Sequence, residues 1–330
     1  MKKIIGTYLE ALTPGEPQSY VNLTLVPLLG PDQTDADYLL LDEALALGVL
    51  AVTEVSGAGS VPELRVENKA ERPILILDGE ELVGAKQNRV VNTTLLIAAA
   101  STTVIPVSCV EEGRWSYDTQ SFRSERRMMN ADLRAMKATH VHASLKRESG
   151  YRSNQAALWH EISDKAARRD AFSPSMAMSS IYEKDASLLK DYEKAFRPVP
   201  DQLGALFLVN GRAAGLDAYG RRKTLEATFP KLLTSYALDA VDRYEQTEAA
   251  DPQKEARDLL DASRAARVEA FEAAALGRDG RLASDTVIGF ALAYEDRVLH
   301  LSVFSRKGET DRGPLRTRMA RYTTRRRHAE

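Results

Sequence analysis

Three tight-turn signals divide this chain into paired apolar runs. Asp78-Gly79 lies between Ile74–Leu77 and Glu80–Val83, and Asn210-Gly211 between Leu206–Val209 and Arg212–Leu216. Glu295-Asp296 lies between Val287–Tyr294 and Arg297–Phe304. A two-residue hairpin turn of type I′ needs positive φ at both central positions, which Asn, Asp and Gly tolerate best. Each signal predicts a β-hairpin, and together they predict a mixed or antiparallel sheet. The flanks of the first two align loosely, L-I-L-D-G-E-E-L-V-G against F-L-V-N-G-R-A-A-G. We read them as two similar hairpins, not as proof of a duplication.

Other segments fill in the class. Val21, Leu23 and Leu25 alternate with Asn22 and Thr24, the period of a half-buried strand. Leu50–Val55 and Glu63–Val66 read as short strands around the turn-rich Ser56–Ser60, and Tyr38–Leu47 reads as a helix. From about Ser124 to Phe196 glycine and β-branched residues thin out. There Asn154 caps a helix with Leu158, Ile162 and Ala166 on one stripe, and Leu188, Leu189, Tyr192 and Phe196 mark another. Pro230 suits the first turn of a later helix with Leu233, Tyr236, Ala240 and Tyr244 inward. Asp251-Pro252 opens one more, through Leu259, Ala266 and Phe271. Strands and helices are segregated, so the expected fold is α+β, not doubly wound. We expect one α+β domain over 1–305, with a helical insertion at 124–198, and then a basic, disordered tail at 306–330.

The net charge of −2 hides an asymmetry. From Arg306 onward there are nine Lys or Arg against three acids, so this tail carries +6 and the rest −8. A solvated end is the simpler reading of the tail, and an electrostatic arm for nucleic acid the sharper one. No apolar run approaches the roughly 20 residues that span a bilayer, and the apolar stretch after Met1-Lys2-Lys3 is too short for a signal peptide. The expected location is cytoplasmic, with no membrane partner. A single cysteine, Cys109, excludes an internal disulfide and a multi-cysteine metal site.

The densest polar chemistry lies in Asp78–Asn92 and Ser108–Trp115. Gly79-x-x-x-x-Gly84-Ala85-Lys86 misses the phosphate-binding P-loop, because Ala85 displaces the lysine, Gln87 replaces the hydroxyl and strand-like Val90-Val91 follows. Gly57-x-Gly59 lacks the third glycine of a dinucleotide fingerprint and reads as a turn. Cys109 has no histidine near in sequence and reads as buried and inert. His140-Val141-His142 lies in helical surroundings, and His160–Asp164 is half a zincin pattern without a second histidine. The sequence names no metal ligands and no cofactor. If Lys86–Asn92 is a strand, both of its faces are largely polar, so one looks into a wet cleft or an interface. The competing reading is an ion-pair network in which Glu80, Glu81 and Glu111 satisfy Lys86 and Arg89.

Four separated blocks carry a resemblance. They are G-E-E-L-V-G-A-K-Q-N-R at Gly79–Arg89, I-P-V-S-C-V-E-E-G-R-W at Ile105–Trp115, V-N-G-R-A-A-G-L-D at Val209–Asp217 and L-L-T-S-Y-A-L-D-A at Leu232–Ala240. Together they resemble the ARG and rhodanese-phosphatase-superfamily-associated protein domain, a bacterial family in which ARG stands for ADP-ribosylglycohydrolase. The resemblance runs from about residue 5 to 305 and leaves out the basic tail. The family's name records gene neighbourhood, which implies a role near NAD-derived, ADP-ribose or nucleotide chemistry. The family brings no established activity or catalytic residues. The positions that match its motifs are Glu81, Lys86, Gln87, Asn88, Arg89, Glu111, Arg114 and Trp115.

The leading expectation is a domain that binds or processes an anionic, nucleotide-like ligand. Lys86, Arg89 and Arg114 would hold the charge, while Gln87, Asn88 and Asn92 would bond polar edges. Trp115 would stack on the ligand or close the pocket, and Glu81 and Glu111 would act as general base or hold a divalent ion. The alternative is a non-enzymatic scaffold whose homodimer buries Lys86 and Arg89 against Glu80 and Glu111 of the partner subunit.

Overall fold

The Asn210-Gly211 and Glu295-Asp296 turns form as their sequences predict. In the computed structural model, which describes residues 1–57, 59–245 and 250–306, φ is 51° and 72° at the first pair and 48° and 58° at the second. Strands Gln202–Val209 and Arg212–Tyr219 pair antiparallel across one turn, and Val287–Tyr294 and Arg297–Ser305 across the other. These four strands form the centre of a nine-stranded sheet. Leu23–Leu29 extends it on one side, with Thr13–Pro14 and Gln18–Tyr20 beyond it, and Arg278–Ala283 and Arg267–Glu272 extend it on the other.

Alternation gives this sheet two apolar faces. Leu206, Leu208, Leu216, Leu301 and Val303 pack under helices Lys2–Glu10 and Pro252–Ala265. Phe207, Tyr219, Phe290 and Phe304 face the core that holds helices Ala131–Lys146 and Arg222–Asp242. Asp251 caps the Pro252–Ala265 helix, accepting from the N–H groups of Gln253 and Lys254, as its sequence predicts. Asn154 does the same for Gln155–Arg168 through the Ala157 N–H.

Asp78-Gly79 breaks the hairpin pattern. Ile74–Ile76 and Glu80–Gly84 do not pair. The first lies in a small three-stranded sheet with Leu95–Ile97 and Leu39–Leu40, the second in a separate six-stranded sheet. Only Gly79 of the two has positive φ, at 81°. Asp78 is instead drawn inward, where Arg134 Nε donates to Oδ1 at 3.1 Å and Lys137 donates to Oδ2. A side chain at residue 79 would meet Arg134 Cδ at 3.0 Å, so the glycine serves a close approach as well as a turn.

The six-stranded sheet runs in the order Phe122–Met128, Glu80–Gly84, Arg89–Val91, Ser101–Cys109, Glu63–Asn68, Leu50–Glu54, all antiparallel. It curls until its first and last strands touch. Inside lie Leu50, Val52, Leu64, Val66, Leu82, Val91, Ile105, Val107 and Phe122, with Leu41 and Ala44 from helix Leu41–Ala46. Its outer face joins the main core through Val90 and Val110, so apolar packing runs on into the nine-stranded sheet.

Four sequence expectations need correction. Residues 124–128 belong to the Phe122–Met128 edge strand, and the helices of the middle segment begin at Ala131. Tyr38–Leu47 is a short strand, Leu39–Leu40, followed by a six-residue helix. Phe271 does not continue the Pro252 helix but lies in strand Arg267–Glu272. Pro230 lies inside helix Arg222–Asp242 rather than at its start, because Leu225 and Phe229 extend the buried stripe upstream, and Tyr244 lies beyond the helix end, exposed rather than inward. The tail from 307 to 330 lies outside the described residues. No helix among the described residues is long and apolar enough to cross a membrane.

Candidate functional site

The end of the curled sheet nearest Gly84–Asn88 gathers most of the polar residues read from the sequence. Register decides which of them face one another. Leu82 pairs with Arg89, and Arg89 pairs with Cys109, so all three point into the curl. Glu54 pairs with Leu64, and Leu64 with Ile105, which places Glu54 on that same inner face. Glu81 pairs with Val90 and points the other way.

At this mouth Arg89 is completely buried and Glu54 is 7% exposed. Arg89 Nη2 lies 3.6 Å from Glu54 Oε1, an ion-pair contact beyond hydrogen-bond range. Arg89 Nη1 donates to the Gln87 carbonyl at 3.0 Å and to Gln87 Oε1 at 3.2 Å. Its Nε and Nη2, and both oxygens of Glu54, find no hydrogen-bond partner among the described residues. Burial lowers the guanidinium's pKa from its ordinary value, against the pull of the neighbouring Cys109 and Glu54. Burial likewise pushes the Cys109 thiol up to about 11, with Arg89 opposing. Cys109 is therefore a neutral thiol at the floor, in keeping with its reading as unreactive.

Aromatic rings and a second cation cover this floor. Lys86 Nζ stands 5.3 Å from the centroid of Trp115 and 5.1 Å from that of Tyr117, and Arg89 Cζ lies 5.7 Å from the Trp115 ring. Gly59, with φ of 77°, closes the gap. A side chain there would meet Lys86 Cδ at 3.1 Å, and Glu54 Oε2 and Trp115 Cζ2 at 3.4 Å. Trp115, Tyr117, Val61 and Met176 leave large apolar surface exposed on the surrounding loops.

A clamp behind the mouth holds its shape. Arg114 donates to the Ala85 carbonyl at 2.7 Å, Glu111 Oε2 at 2.7 Å and Asn88 Oδ1 at 3.1 Å. Glu111 Oε2 also accepts from the Asn88 N–H at 3.0 Å. Burial works against the Glu111 carboxylate, but bonds from Arg114, Ser175 and the Asn88 N–H outweigh it and hold its pKa below the ordinary value. The middle segment braces the same region. Gln155 bonds both the N–H and the C=O of Cys109, at 2.8 and 2.7 Å. Met178 N–H reaches the Val110 carbonyl at 2.8 Å.

The expected site thus divides. Lys86, Gln87, Arg89 and Trp115 come together at the mouth. Asn88, Glu111 and Arg114 form the clamp. Asn92 is elsewhere, donating to the Tyr151 carbonyl and accepting from Ser108. Glu81 faces the helical layer, fully buried, with Arg127 at 3.8 Å, and desolvation pushes its pKa up to about 7. The expected network does not form as read. Glu80 pairs with Lys231 and Glu111 with Arg114, while the carboxylate beside Arg89 is Glu54. Nor do Glu80 and Arg89 offer a dimer surface, since both are buried within one chain. Lys86–Asn92 is strand only over Arg89–Val91, because a turn with positive φ at Ala85 precedes it.

Sequence reading missed Glu54, Gly59 and Tyr117. Glu54 had a signal, since Leu50, Val52 and Glu54 share the inward positions of one alternation. A glutamate at the end of an apolar row is out of place in a plain core.

A second polar cluster is sealed between the sheets. Asp217 accepts from Arg134 Nη2 at 2.6 Å and Nη1 at 3.1 Å, and from Tyr236 at 2.9 Å, with His300 Nε2 at 3.2 Å. These groups are buried and mutually satisfied, so the cluster ties the sheets together.

The fold and site describe an α+β protein with a charged, aromatic-capped mouth on a curled sheet. The chain belongs to the ARG and Rhodanese-Phosphatase-superfamily-associated Protein domain family, whose sequence model matches residues 11–304. No curated protein and no solved structure matches it.

Proposed function

We propose that this chain binds a small anionic, nucleotide-like ligand at the mouth of the curled sheet. One observation carries the reading. Two donor atoms of Arg89 and both oxygens of Glu54 are buried and without hydrogen bonds among the described residues, beneath a cap of Lys86, Trp115 and Tyr117. Buried polar groups are nearly always bonded, and exceptions call for a ligand, an ion or a water. Lys86 and Arg89 supply positive charge, and the two rings supply flat faces for a base. Glu54 takes the place that sequence reading gave to Glu81 and Glu111, because it alone of the three faces the mouth with free oxygens. The family's name, with its link to ADP-ribosylglycohydrolases, agrees with such a ligand.

Thermal unfolding with ADP-ribose, NAD, mononucleotides and short RNA tests this. A ligand that binds only the folded state adds about 2.7 kcal/mol at a hundredfold excess over Kd. We expect a selective shift that disappears in Lys86→Ala and Trp115→Ala. No shift with any of these anions would overturn the proposal.

A further inference from the structure

The floor also specifies which part of the ligand it meets, an inference that rests on the binding reading above. A bare phosphate or carboxylate set against Arg89 would bring negative charge onto the Glu54 carboxylate in a buried place, which is costly. The floor therefore suits a group that offers an acceptor and a donor side by side. An amide edge does so. Its bond lengths place oxygen and nitrogen about 2.3 Å apart. Two hydrogen bonds of about 2.9 Å, splaying slightly outward, end on partner atoms farther apart than that. The 3.6 Å between Arg89 Nη2 and Glu54 Oε1 is such a separation.

We propose that Arg89 and Glu54 read the planar donor–acceptor edge of a ring or carboxamide, Arg89 donating to its acceptor and Glu54 accepting its N–H. The ligand's anionic group then lies outside, toward Lys86, and the ring lies against Trp115. The lactam or amidine edge of a nucleobase and the carboxamide of a pyridine ring share this chemistry. Gly59 adjoins Glu54, Lys86 and Trp115. The unbonded atoms belong to two side chains that are more than nine-tenths buried and share the inward face, so both are in place before the ligand arrives.

Calorimetric titration of the full chain tests this with four probes. Uridine 5′-monophosphate carries a lactam edge, adenosine 5′-monophosphate an amidine edge and nicotinamide mononucleotide a carboxamide. Ribose 5-phosphate carries none of these. At least one of the first three should bind tenfold or more tightly than ribose 5-phosphate, and which one does so identifies the source of the edge. Glu54→Gln, which keeps an acceptor oxygen but not the charge, should shrink that advantage severalfold and bind ribose 5-phosphate no more weakly than the parent does, whereas Lys86→Ala should weaken all binders alike. If Glu54→Gln fails to fold, Glu54→Asp, which withdraws the carboxylate by one methylene, should show the same loss. Equal binding of all four probes would overturn the edge reading while leaving the anion site standing. Binding of none would overturn both.

Discussion

Arg89 and Glu54 stand 3.6 Å apart on the inner face of the curled sheet, close enough to attract and too far apart to share a hydrogen bond. Charges buried for stability alone usually close into short, fully bonded pairs, as Arg134 and Asp217 do at 2.6 Å. The binding proposal rests on this open pair and on its place beneath Lys86 and Trp115.

The two pairs should respond differently to replacement. Glu54→Leu leaves Arg89 buried beside no carboxylate of its own, and breaking a buried pair costs about 3–5 kcal/mol. The double variant Glu54→Leu with Arg89→Met should recover most of that loss in urea unfolding, because apolar replacements of buried pairs are often neutral or stabilising. It should bind no ligand. A double variant as unstable as the single one would mean that the pair is a structural tie.

Glu81 makes a pH-dependent prediction. Its folded-state pKa is raised to about 7 by burial, from an ordinary 4.5. Between those values the folded chain holds a proton that the unfolded chain has lost, so stability falls as pH rises through this window and the penalty is complete above it. Glu81→Gln removes the penalty. Relative to the parent it should gain stability from pH 4.5 to 7 and level off at up to about 3 kcal/mol. A difference that stays flat across pH would show that Arg127 already compensates the carboxylate.

Much of this was legible in the sequence, for physical reasons that differ by region. Asn210-Gly211 and Glu295-Asp296 form their hairpins because local turn chemistry and strand pairing agree. Asp78-Gly79 carries the same local signal, but Arg134 and Lys137, more than fifty residues away, claim the Asp78 carboxylate and carry the chain into another sheet. A tertiary ion pair of that kind leaves no mark in a local window. Lys86, Gln87, Arg89 and Trp115 stood out because their composition is unlike a core. Whether a polar residue faces the mouth or the helical layer depends on register, which separates Arg89 from Glu81 across neighbouring strands.

Asp217 should govern the acid limb of stability. Burial opposes its charge, but Arg134 and His300 outweigh burial and hold its pKa far below the ordinary carboxylate range. A depressed pKa contributes stability that is complete above the unfolded value of about 3.9 and drains away as pH falls below it. Unfolding free energy of the parent should therefore drop steeply below pH 4. Asp217→Asn should be less stable at pH 7 and lose less on acidification. Parallel acid profiles would assign the acid limb to other carboxylates.

Gln155 links the middle segment to the floor, and Cys109 offers a way to watch it. The Gln155 amide completes the strand end by bonding both backbone groups of Cys109. Gln155→Ala leaves a buried N–H and C=O unpaired, at about 1–3 kcal/mol each. The strand end should then open locally, long before global unfolding. Cys109 is the single cysteine of the chain, so one thiol reagent reports on this position alone. In the parent its thiol is buried and its pKa is raised to about 11, so reaction with a disulfide reagent at pH 8 should be slow. Gln155→Ala should speed it at least tenfold while far-ultraviolet circular dichroism stays unchanged. Gln155→Glu keeps the acceptor for the Cys109 N–H but turns a carboxylate toward its carbonyl, so it should react faster still above pH 6. Equal rates in all three proteins would mean that the strand end is held without Gln155, and that the middle segment does not control the floor.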